Sequence, residues 1–162
     1  MDPVAFRPIG IVRTPFTESA GVPIQAVAAV GVAGRIELDP ALVDGLDGLE
    51  GFSHLILIYH LHQVTATRLT VTPFLDEQPH GVFATRAPTR PNPIGISTVR
   101  LVAVSVEAAT IDIEDVDMVD GTPLLDLKPY VPPFDDRADA RIGWYEGRLG
   151  SLADARADER FR

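Results

Sequence analysis

The chain contains no cysteine. That excludes disulfides, thiolate zinc sites and cysteine nucleophiles, and it accords with a reducing, cytoplasmic location. Long hydrophobic runs are also missing. The longest candidate, residues 55–61, is bounded by His54 and His62 and is too short to cross a bilayer, so no membrane role is expected. Residues 1–8 carry no apolar h-region, so a secretory signal is not expected. Positive charge is scarce: 14 Lys and Arg stand against 23 Asp and Glu, for a net charge of −9. A nucleic-acid binder normally shows a basic face, and none is obvious. There is no G-x-x-x-x-G-K-[ST] loop and no strand–G-x-G-x-x-G–helix unit. Ser53 and Ser97 lie outside any G-x-S-x-G elbow, which argues against a serine hydrolase.

What is present is 162 residues, 46% of them apolar, enough for one domain with a real core and too apolar for disorder. Strand signals dominate as far as residue 131. Segments 9–13, 30–38, 54–63, 69–74, 82–86, 96–107, 110–113 and 123–127 alternate or run apolar between Gly and Pro punctuation. Many short strands at regular spacing predict an all-β fold, an antiparallel barrel or sandwich. No clear amphipathic helix follows any strand, which disfavours a doubly wound parallel sheet. Residues 41–49 suit a helical turn or two. After Pro132-Pro133 the composition shifts to Asp, Arg, Ala and Gly. Residues 1–135 therefore read as the domain and 136–162 as a short peripheral tail. Ser151 could cap a helix over 152–160, and Trp144 and Tyr145 could dock the tail on the barrel.

The densest signal lies at residues 81–97, GVFATRAPTRPNPIGIS. Pro88, Pro91 and Pro93 fix their own φ and push the residues before them into extended geometry. A stiff loop carrying Arg86 and Arg90 loses little entropy when it binds an anion or polar ligand. Residues 68–100 hold four arginines against Asp76 and Glu77, a locally basic stretch on an acidic chain. On the long strand, His54, Ile56, Ile58, His60 and His62 share one face, and Leu55, Leu57, Tyr59 and Leu61 the other. Two histidines two apart could share a metal, but no His-rich partner motif supplies a third ligand, so no metal is expected. His62-Gln63 reads instead as a polar pair facing a ligand. Further on, Asp115, Asp117 and Asp120 precede an Asp120-Gly121 turn, either as an acidic hairpin or as carboxylates holding a cationic ligand. Asp126 and Lys128 fall on one strand face as an ion pair.

Four blocks together resemble the TrmO (TsaA-like) family of S-adenosylmethionine-dependent tRNA methyltransferases. They are FxPIGIVRTPF from Phe6, GLEGFSHL from Gly48 through to His62-Gln63, residues 81–97, and DxVDGTPLLDLKPY from Asp117. The resemblance covers about residues 6–135. It implies a small antiparallel β-barrel and a homodimer with S-adenosylmethionine bound near the subunit interface. It also implies methylation of the exocyclic nitrogen of N6-threonylcarbamoyladenosine just 3′ of the tRNA anticodon. Carried over by position, cofactor contacts fall at Ala26, Val27, Ala28, His62, Gln63, Arg86, Ile96, Glu114, Asp115, Val116 and Asp117. Arg90 and Asn92 would present the substrate, and Asp126, Lys128 and Tyr130 would line or support its pocket. His62 and Asp117 are candidates for the general base. The two apolar faces of residues 55–61 independently suggest a covering subunit.

Two departures from the family pattern stand out. The family's Pro-Arg-Gln is Pro23-Ile24-Gln25 here. The family's bacterial members continue into a C-terminal domain where this chain has its short tail. With the acidic balance, these features keep two other readings open: a methyltransferase of a small molecule or another modified base, and a non-catalytic cofactor-binding module.

Overall fold

The computed structural model describes residues 2–151, 155–158 and 161. Among them the strands are β1 (Gly10–Arg13), β2 (Ala33–Leu38), β3 (His54–His60), β4 (Thr70–Val71), β5 (His80–Gly81), β6 (Ile94–Ser105), β7 (Thr110–Glu114) and β8 (Thr122–Pro129). Six of them close into an antiparallel barrel in the order β1-β2-β7-β6-β3-β8, with β8 returning to β1. Closure removes the exposed sheet edges that an open sandwich would leave. β4 and β5 form a separate two-stranded ribbon.

The period of two does the folding work. Val12, Ile36, Leu38, Leu55, Leu57, Tyr59, Val99, Ile111, Ile113 and Leu124 all point inward and form one buried cluster. Each fully buried aliphatic side chain of this kind adds roughly 1.5–3 kcal/mol of transfer free energy. On β3 the inward Leu55, Leu57 and Tyr59 are buried, whereas Ile56 and Ile58 on the outer face are only half-buried. Register shifts in β6 opposite β7, and in β8 opposite β3, bend the strands round the barrel.

Several boundaries differ from the sequence reading. Residues 82–86 are not a strand: Val82–Ala84 is a 3-10 turn. The Thr85 hydroxyl donates to the Val82 carbonyl at 2.9 Å and the Thr85 N–H to the same oxygen at 3.1 Å, a local closure that outcompetes pairing. The strand expected over 69–74 shrinks to Thr70–Val71, cut off before Pro73. β2 starts at Ala33 rather than Val30, because Gly31 turns with φ 76°. Residues Pro40–Leu46 form a 3-10 helix capped by the Asp39 side chain, which accepts from the Ala41 N–H at 2.9 Å.

The tail packs rather than trailing. Trp144 Nε1 donates to the Ala84 carbonyl at 2.7 Å. Phe161 joins Val71, Val82 and Ala87 in a second buried cluster. Of the helix expected over 152–160, the described residues 155–158 are not helical: Arg156 bridges antiparallel to Pro23. The rest of that expectation lies outside the described residues.

Candidate active site

A cleft of about 1390 Å³ opens beside the barrel. Its walls come from the loop after β1, the end of β3, the proline-rich loop, the start of β6, the segment after β7 and the tail. Asp117 reaches it because of how β7 ends. Asp115 takes a left-handed conformation (φ 68°), which Asp tolerates better than most residues. Its Oδ1 accepts from the Gly31 N–H at 2.7 Å, locking the turn. Val116 is then fully buried, and Asp117 lines the cleft.

There Ser97 Oγ donates to Asp117 Oδ1 at 2.6 Å, and Tyr59 Oη lies 2.9 Å from Ser97 Oγ. Since the serine proton is directed at the carboxylate, the tyrosine must donate to the serine. The chain runs Tyr59 to Ser97 to Asp117. Gly95 makes it possible, because a Cβ there would sit 2.2 Å from Tyr59 Cε2. Burial pushes the Asp117 carboxyl up to about 6; hydrogen bonds from Ser97 and from the backbone N–H groups of Asp117 and Ala26, together with nearby Arg86, partly offset it. Burial likewise raises Tyr59, with the Asp117 charge adding to the effect.

Arg86 is exposed on the cleft wall, and its Nη1 donates to Gln25 Oε1 at 2.7 Å. Arg90 faces partly inward, its Nη1 donating to the carbonyls of Thr85 and Ala87 at 3.2 Å each. It clamps its own loop. His62 and Gln63 stand where β3 has ended, and among the described residues His62 Nδ1 is buried without a hydrogen-bond partner.

Of the residues named from sequence, the cleft brings together Val27, His62, Gln63, Arg86, Arg90, Asn92, Ile96 and Asp117. Ala26 reaches it through its N–H to Asp117; Ala28 lies in the same 3-10 turn but not on the cleft wall. Glu114 and Asp115 face Arg100 instead, at 3.7 and 3.9 Å. Asp126 and Lys128 form the expected ion pair, at 2.7 Å, on the outer surface away from the cleft. Tyr130 donates to Asp136 and meets the His54 ring edge-on. The sequence reading did not single out Tyr59, Ser97 and Gln25 as site residues. Tyr59 and Ser97 looked like ordinary strand positions, and their closeness depends on β3–β6 register. Among the described residues no three His, Asp or Glu side chains are placed to hold a metal, and no helix is long and apolar enough to cross a membrane.

A family model, the N-terminal domain of tRNA-methyltransferase O, matches residues 11–136. The chain belongs to this family. A Pyrococcus abyssi protein named as a probable S-adenosyl-L-methionine-binding protein is 54% identical over 158 residues, covering 98% of this chain and 85% of the relative. The tRNA (adenine(37)-N6)-methyltransferase of Escherichia coli is 37% identical over 152 residues, covering 89% of this chain and 65% of the relative. The crystal structure of TrmO from Pseudomonas aeruginosa superposes with a TM-score of 0.73 at 41% identity, covering 88% of this chain and 63% of that one. The barrel is thus the family's fold, and the chain spans under two thirds of the length of the Escherichia and Pseudomonas proteins.

Proposed function

We propose that this chain is an S-adenosylmethionine-dependent methyltransferase acting on the exocyclic nitrogen of N6-threonylcarbamoyladenosine in tRNA. The observation that carries the reading is the Asp117 carboxyl, held by Ser97 and the Ala26 N–H in a cleft that also gathers Arg86 and His62-Gln63. These residues suit the cofactor. The cleft has room for it, Asp117 offers an anion to a cationic ligand, Arg86 offers a cation to a carboxylate, and the orphaned His62 Nδ1 offers an unused polar atom.

Bound S-adenosylmethionine supplies a methyl group carried on a positively charged sulfur. The chain's own work is to orient, exclude water and take a proton. Asp117 accepts the proton that the acceptor nitrogen sheds as its new N–C bond forms. A carboxyl raised to about 6 is ionised at neutral pH yet basic enough to take part in transfer. Ser97, backed by Tyr59, keeps its Oδ1 fixed. Arg86, braced by Gln25, fixes the charged end of the cofactor.

The protein acts as a symmetric homodimer. Val27, Phe83, Ile94 and Ile96 line the cleft yet are 69%, 76%, 44% and 54% exposed, an apolar rim that a second copy would cover. Light scattering at low micromolar concentration is expected to give twice the chain mass, and a monomer of full cofactor affinity would refute the shared rim. Calorimetric titration with S-adenosylmethionine, with and without a chelator, tests the cofactor reading: equal binding in both is expected, and absence of binding would refute it. The net charge of −9 favours a second reading, a methyltransferase of a small molecule or another modified base.

A further inference from the structure

Described parts of the C-terminal segment are anchored at two places, one on the cleft wall and one beside it. On one side the Gly21 N–H donates to the Ala157 carbonyl and the Ala157 N–H to the Val22 carbonyl, both at 2.8 Å. On the other side the Arg148 Nε lies 3.3 Å from Asp76 Oδ2, a carboxylate only 7% exposed that also meets His80 Nε2 at 2.9 Å. From the Asp76 anchor, through His80, runs a ladder of rings. His80 stacks on Trp144 with centroids 4.6 Å apart, and Trp144 on Tyr145 at 3.8 Å, both near parallel. Trp144 and Tyr145 line the cleft. Tyr145 is half-buried at the end of the ladder and close enough to Arg86 for that charge to pull its phenol down against the rise that burial imposes. Trp144 is tied to the Ala84 carbonyl, two residues from Arg86.

We propose that this segment completes the ligand cleft, with Tyr145, backed by the Trp144–His80 stack, forming a wall against which an adenine ring stacks. This rests on the methyltransferase reading above. A rigid, pre-stacked aromatic beside a guanidinium offers a flat face and a charge without ordering a mobile side chain, which suits a planar heterocycle. A purine ring enters such a cleft from either of two sources, the adenosine of the cofactor or the adenosine of the acceptor.

Trp144 is the chain's single tryptophan, so the ladder carries its own reporter. The full chain is titrated with S-adenosylhomocysteine and, separately, with N6-threonylcarbamoyladenosine, followed by Trp144 emission and by calorimetry. At least one ligand should change the emission saturably at the calorimetric Kd. Tyr145→Leu should weaken that ligand about tenfold or more, the scale of one lost base–aromatic stack, while Tyr145→Phe stays within about twofold. Weakening confined to S-adenosylhomocysteine assigns the wall to the cofactor, and weakening confined to the nucleoside assigns it to the acceptor. Binding of both ligands without any emission change, or equal affinity in Tyr145→Leu, overturns the proposal. If Tyr145→Leu does not fold, Arg148→Ala, which frees the Asp76 anchor, should weaken the same ligand, and unchanged affinity there overturns the proposal. A wild-type chain that binds neither ligand refutes the methyltransferase reading itself.

Discussion

Asp117→Asn separates the price of the site from its use. The wild-type carboxyl has an ordinary value of 3.8 and is pushed up to about 6 in the fold. A folded value above the unfolded one means the fold prefers the protonated acid. Stability from this group is therefore fully present below 3.8, falls as pH rises from 3.8 to about 6, and stays reduced above that. At about 1.4 kcal/mol per tenfold change in proton affinity, that difference amounts to about 3 kcal/mol. Asparagine keeps an oxygen for the Ser97 hydroxyl and the Ala26 N–H and never ionises. The variant should match the wild type in urea unfolding near pH 4 and exceed it by about 1–3 kcal/mol at pH 8, the low end allowing for imperfect amide packing. Methyl transfer should be lost at every pH. In the wild type, activity should rise through pH 6 as the base ionises. A stability difference independent of pH, or a less stable variant at pH 8 than at pH 4 relative to wild type, would refute the claim that burial burdens this carboxylate.

Arg86→Ala should weaken cofactor binding by about 1.5–3 kcal/mol in calorimetry with little change in Tm, because the side chain is exposed and loses a charged contact. Arg90→Ala should do the reverse, lowering Tm by freeing the Thr85 and Ala87 carbonyls and leaving affinity less changed; equal cofactor affinity in both variants would count against placing the site at this loop. Gly95→Ala should destabilise by about 1–3 kcal/mol by driving a methyl into the Tyr59 ring, and it should lower activity beyond that by displacing Ser97. Asp76→Asn and Arg148→Ala should each lower Tm, and the double variant by less than both together, because they share one contact.

The barrel was legible because its strands keep a strict period of two over residues such as 35–38 and 110–114, and there period alone decides which side chains face inward. The segment around 82–86 misled for the same reason. Residues 82–84 are apolar enough for a strand, yet the buried pair is Val82 and Thr85, three apart, because the Thr85 hydroxyl closes a local turn that a period of two does not register. At the site, Arg86, His62-Gln63 and Asp117 could be named because each sits in a dense local motif. The Tyr59–Ser97–Asp117 chain joins three separate strands and strand ends, so no local pattern marks it. Glu114, Asp115, Asp126 and Lys128 looked equally polar in sequence. Arg100 on the neighbouring strand draws Glu114 and Asp115 away from the cleft, and Asp126 and Lys128 pair with each other on the outer surface. The tail read as peripheral because its composition is charged, although Trp144, Arg148 and Phe161 are enough to anchor it over the cleft.

The most direct test of the central claim is mass spectrometry of tRNA nucleosides from a strain deleted for the gene, compared with the same strain carrying the gene or its Asp117→Asn form. Loss of the N6-methylated threonylcarbamoyladenosine on deletion, restored by the wild-type gene and not by the variant, is the predicted result. Unchanged levels of that nucleoside in all three strains would contradict the account.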